Sequence, residues 1–144
     1  MKRILIIIII IFIIATSIIV GLIMANNARV REARRHNQQY ASYLETEIWG
    51  TELATLINRA MNNNRRNDVK QDAEGNFINN ETNSINIDIE MITIEETFSM
   101  ERIYAGGTTE FAQAFNFVKF ESRTTEYHEQ TGKISRIVFR QLTE

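Results

Sequence analysis

Residues 4–24 run for twenty-one positions without one charged side chain, and that run constrains this chain more than any other feature. It reads Ile-Leu-Ile-Ile-Ile-Ile-Ile-Ile-Phe-Ile-Ile-Ala-Thr-Ser-Ile-Ile-Val-Gly-Leu-Ile-Met. As a helix at ~1.5 Å per residue it is roughly 31 Å long, which matches the ~30 Å hydrocarbon core of a bilayer. Only Thr16 and Ser17 are polar. A helix can bond such hydroxyls back to its own carbonyls. The expectation is a single-pass membrane anchor over residues 1–25. A cleaved signal peptide is the rival reading. Its apolar region runs ~7–15 residues before a small-x-small site. Here the run is longer, and cleavage after Ala25 would put Ile23 at the −3 position.

The remaining length suits one small domain rather than two. Formal net charge is −2, so the chain lacks the positive excess that bulk nucleic-acid binding needs. With no cysteine there is no disulfide, no thiolate metal site and no Cys nucleophile.

Lys2 and Arg3 precede the apolar run; Arg29, Arg31, Arg34 and Arg35 follow it, with Glu32 among them. Counted literally, the basic residues favour a cytoplasmic C-terminal domain. A short basic start before a long apolar run is also how signal anchors begin. On that ground the domain is expected outside the cytoplasm. The four arginines are assigned to anionic headgroups, a routine role for a juxtamembrane basic segment.

From Asn26 the pattern remains helical. Tyr40, Tyr43, Leu44 and Ile48 fall at i, i+3, i+4 and i+8, which predicts a juxtamembrane helix over 26–48. Gly50 is expected to close it in a left-handed conformation. Thr51 then caps a second helix, in which Leu53, Leu56, Ile57, Ala60 and Met61 make an apolar stripe. Residues 62–76 read as a loop or irregular hairpin. Ile85, Ile87 and Ile89 alternate with polar residues, the period of a half-buried strand. Phe98 and Met100 predict a second strand to about Tyr104. A short helix from Thr108 carries Phe111, Ala114 and Phe115. A final hairpin spans 118–127 and 134–142. The head domain, 49–144, is therefore α+β: a small antiparallel sheet covered by the second helix.

Candidate chemistry is thin. His128 sits in Glu126-Tyr127-His128-Glu129, His36 among the arginines, and Asp88, Glu90, Glu95 and Glu96 on or beside the strands. The residues around His128 read as a solvated rim and the acids as a wet strand face, since no third metal ligand stands at useful spacing. No Gly-x-Ser-x-Gly, P-loop or dinucleotide fingerprint occurs. The expectation is a non-catalytic protein with no cofactor and no metal. A small membrane-anchored hydrolase is the alternative from another class. Within the span, Ser17, Gly21 and Ala25 recur at i, i+4 and i+8. Small residues so spaced let helix backbones approach, so this stripe is expected to pack against a partner helix or a second copy.

A span that continues into a small α+β head resembles the layout of type IV pilins. The residues that mark a pilin precursor are not present: Arg3 stands where a glycine would, and the span holds no acid. Asn37, Tyr40 and Tyr43, then Gly50-Thr51-Glu52-Leu53 with Leu56-Ile57, then Thr131-Gly132-Lys133-Ile134-Ser135-Arg136-Ile137, resemble a group of small membrane-anchored bacterial proteins. That resemblance implies the helix–head layout and carries no functional residue. Together these features point to assembly or contact within a bacterial envelope apparatus, pilus- or secretion-like. A cytoplasm-facing adaptor is the alternative.

Overall fold

The computed structural model describes residues 2–143. The first helix, α1 (Lys2–Leu44), is unbroken over 43 residues. No proline interrupts it. Thr16 Oγ1 donates to the carbonyls of Phe12 and Ile13, and Ser17 Oγ to that of Ile13 at 2.8 Å, so the span's hydroxyls need no water. The apolar half of α1 touches nothing else: none of its most hydrophobic window is buried.

The chain then forms β1 (Ile48–Trp49), α2 (Gly50–Arg66), β2 (Asn86–Met91), one 3-10 turn (Ile92–Ile94), β3 (Glu96–Ser99), α3 (Met100–Gly106), α4 (Thr108–Ala114), β4 (Lys119–Tyr127) and β5 (Ile134–Gln141). The five strands lie in the order β1-β4-β5-β2-β3. Three of the four pairings are antiparallel. The exception is β2 with β5, which run parallel, Ile87 beside Ile137 and Ile89 beside Phe139. The sheet is thus mixed rather than wholly antiparallel. The parallel pair is possible because β3, α3, α4 and β4 lie between β2 and β5, a connection long enough to bring the chain back to the end of the sheet where β2 begins.

One sheet face is apolar and covered. Ile87, Ile89, Ile137, Phe139 and Phe120 are fully buried, together with Leu53, Leu56, Ile57 and Ala60 from α2. Tyr40 of α1 joins the same core with no exposed area. The other face is wet and paired by charge. Arg136 meets Asp88 at 2.7 Å and Glu126 at 3.4 Å, and Arg140 approaches Glu90 at 4.0 Å.

Four local expectations are corrected. The first helix ends at Leu44, and Gly50 opens α2 instead of closing α1. Glycine is required there because a Cβ would lie 2.2 Å from the Phe115 carbonyl oxygen. Trp49, not Thr51, holds the N-cap position of α2; its N–H donates to Glu52 Oε2 at 2.8 Å, so the helix start is tied down by its own third residue. α2 continues through Asn62-Asn63-Asn64 to Arg66, since buried Asn64 accepts the Ile85 N–H and donates to the Ile85 carbonyl, both at 2.8 Å. Finally, β3 stops at Ser99, whose side chain accepts the Arg102 N–H at 3.2 Å and starts α3.

Candidate functional site

A polar joint ties α1 to the β4–β5 hairpin. The hairpin turn closes on itself: His128 N–H donates to the Lys133 carbonyl and Gly132 N–H to that of His128, each at 2.8 Å. Gly132 holds φ +68°, a conformation glycine adopts without a Cβ clash. Asn37 of α1 grips this turn with both ends of its amide. Nδ2 donates to the Gly132 carbonyl at 2.9 Å, and Oδ1 accepts the Ile134 N–H at 2.8 Å. One turn below, Glu32 pairs with Lys133 at 2.6 Å. The Lys133 ammonium holds the Glu32 carboxyl below its usual range, first by hydrogen bonding and then by charge.

Two side chains of α1 enter the interior here. His36 is buried, and its Nε2 has no hydrogen-bond partner. The Tyr40 hydroxyl is likewise buried without a partner, and the two rings sit 5.3 Å apart. Burial keeps both neutral: it pushes His36 down from its ordinary value and Tyr40 up to about 12. Lys133 and His128 also disfavour charge on His36, while a hydrogen bond to Ile134 and the Glu32 carboxylate favour it.

His128 does not lie on a solvated rim. It is 4 % exposed, and its Nε2 is 2.7 Å from the Ser84 carbonyl oxygen. A carbonyl only accepts, so Nε2 carries the proton. The ring pins the 79–84 loop under the hairpin, helped by Thr131 Oγ1 donating to the Thr82 carbonyl at 2.8 Å. His36, in the basic stretch of α1, is covered by the head. Glu126, Glu129, Glu95 and Glu96 are exposed, as expected of a wet surface. Among the described residues no three His, Asp or Glu side chains converge as metal ligands would.

Ser17, Gly21 and Ala25 lie on the exposed part of α1. A Cβ at Gly21 would meet nothing within 4 Å, so that face is open. Arg29, Arg31, Arg34 and Arg35 are all exposed. Among the described residues none of the four forms an ion pair. The residues that sequence reasoning missed are those of the joint: Glu32, His36, Asn37, His128 and Lys133. One signal was present. Asn37 and Tyr40 occurred in the same resemblance as Thr131-Gly132-Lys133-Ile134, and the structure brings those segments into contact.

No known protein family, characterised protein or solved structure matches the chain. Among the described residues one N-terminal helix is long and apolar enough to cross a membrane, and it is continuous with an α+β head.

Proposed function

We propose that this chain is a single-pass membrane protein of a cell envelope, with a non-catalytic head used for assembly or contact in a pilus- or secretion-like apparatus. The observation that carries the reading is the continuity of α1. One helix runs from the apolar span to Leu44 and places Tyr40 in the core of the head. A head held this way cannot swing freely on a linker. Displacement or rotation of the span is transmitted to it, which suits a structural subunit better than a tethered enzyme.

Self-association, or pairing with a partner helix, proceeds through Ser17, Gly21 and Ala25 in this reading. The head faces away from the cytoplasm. The four arginines after the span favour the opposite orientation, in which the protein is a cytoplasm-facing adaptor.

Two measurements test this. Protease access to the C-terminus in intact cells and in spheroplasts separates the orientations. Crosslinking yield of the full chain, compared with Gly21→Ile at equal expression, tests the stripe. The substitution keeps the span apolar, and its side chain enters open space in the single chain. A loss of association of ~1 kcal/mol or more is expected. Equal yields would show that this face meets lipid alone and would count against assembly through the span.

A further inference from the structure

The direction in which α1 presents its charges is set by the head. At ~100° per residue, Ala33, His36, Tyr40 and Leu44 share about 80° of arc on the helix. All four pack inward. Arg31, Arg34 and Arg35 occupy an arc of about 100° centred roughly 170° away. They therefore point from the side of α1 opposite the head. They are exposed and form no ion pair among the described residues, and Arg35 only adds to the field at Glu32.

The head's membrane-facing end carries the opposite sign. β4 runs from Lys119, beside β1 at the far end of α1, to Tyr127, next to the turn that Glu32 and Asn37 hold. That turn lies at the level of α1 nearest the span. Around it stand exposed Glu81, Glu126 and Glu129, which border an open cavity of about 370 Å³. Lys133 is already paired with Glu32, and Arg136, held by Asp88, reaches Glu126 at 3.4 Å, so Glu81 and Glu129 carry the uncompensated charge of this end.

The geometry points to an anionic bilayer surface as the ligand of this arginine face: α1 leans toward its arginine side, Arg31, Arg34 and Arg35 seat on lipid phosphates, and the acidic hairpin is lifted off the headgroups. This rests on the proposed membrane anchor and gives it a direction. In an upright helix Arg31 would stand ~10 Å and Arg35 ~16 Å beyond Met24. The polar layer on each side of the hydrocarbon is only ~5–8 Å thick. A lean within the ~0–40° range of membrane helices lowers all three guanidinium groups into it, and their long stems reach further down. Arg31, Arg34 and Arg35 are attracted while Glu81 and Glu129, which form no ion pair among the described residues, are repelled, so both ends of the charge asymmetry act in the same sense.

The test uses the full chain in nanodiscs. Because the protein has no cysteine, Gln130→Cys gives a unique label on the exposed hairpin tip. Energy transfer to an acceptor on the lipid headgroups reports the hairpin's distance from the bilayer. Discs of phosphatidylcholine alone are compared with discs of equal parts phosphatidylcholine and phosphatidylglycerol. Transfer is expected to fall in the anionic discs and to recover at high salt, which screens the contact. R31E/R34E/R35E should abolish the lipid dependence. Each single Arg→Gln should weaken the leaning preference about fivefold.

Equal transfer in both kinds of disc overturns the proposal and leaves the arginines to an acidic protein partner. A fall that survives the triple reversal overturns it as well. Insertion into the neutral discs needs only the apolar span, so a chain that fails to insert there refutes the anchor itself, and a chain that inserts but shows no lipid dependence refutes the lean alone.

Discussion

Asn37 Oδ1 accepts the Ile134 backbone N–H at 2.8 Å, across 97 residues of sequence, and its Nδ2 returns a bond to the Gly132 carbonyl. One side chain near the end of α1 thus holds the exit of the hairpin turn, from Gly132 to the first residue of β5. Asn is a weak helix former, so its position inside α1 is explained by this grip rather than by local preference. Asn37→Ala leaves the Ile134 N–H and the Gly132 carbonyl without their partners. A loss of ~1–3 kcal/mol is expected, the usual cost of orphaned donors and acceptors. Thermal or denaturant unfolding of the full chain in detergent measures it. A loss under ~0.5 kcal/mol, typical of surface positions, would show that water replaces the amide without cost.

Acid should loosen the same joint through His36. Its value in the folded chain is depressed, mainly by burial and further by Lys133 and His128, so the unfolded chain takes up the proton first. The stabilising contribution is therefore complete above the ordinary value of 6.5 and is lost as pH falls below it toward the folded value. Protonation would also give Nε2 a hydrogen with no acceptor. Melting temperature of the wild type should drop on acidification through this window, and His36→Gln should remove part of that drop. The same pH slope in both proteins would assign it to the carboxylates instead.

Leu56 is fully buried between α2 and the sheet face bearing Ile87 and Ile89. Leu56→Ala should cost ~2–5 kcal/mol, since it removes core contacts and leaves a cavity. A much smaller change, read from chemical denaturation, would mean that the site collapses around the missing atoms.

Gly50→Ala tests a different kind of constraint. The new Cβ would lie 2.2 Å from the Phe115 carbonyl oxygen and 2.8 Å from its carbonyl carbon, both backbone atoms. The backbone at the end of α4 must shift, and Phe115 packs against Phe111 and Phe120. A loss of ~1–3 kcal/mol is expected, as for other overpacked sites. Wild-type stability in the variant would show that α2 and the α4 end separate freely.

Periodicity alone was enough to locate the span, the apolar stripe of α2, the β2 alternation and the β4–β5 hairpin. Each of these is set by neighbours along the chain: an unbroken apolar run, a spacing of three to four, a spacing of two. The same local reasoning failed at Gly50 and Met100. Gly50 is glycine because Phe115, distant in sequence, comes within contact, and Met100 begins a helix because Ser99 caps it where a strand pattern seemed to continue.

The sequence by itself determined that the chain has one membrane-length helix and an α+β remainder, because hydrophobic length and period are local properties. Only the tertiary structure decided that β2 and β5 run parallel, that Asn37 grips the Gly132 turn, and that His36 and His128 are buried. These depend on pairing between segments far apart in the chain. A histidine between glutamates, as His128 is, reads as solvated until the fold lays another element over it, and here the 79–84 loop meets it.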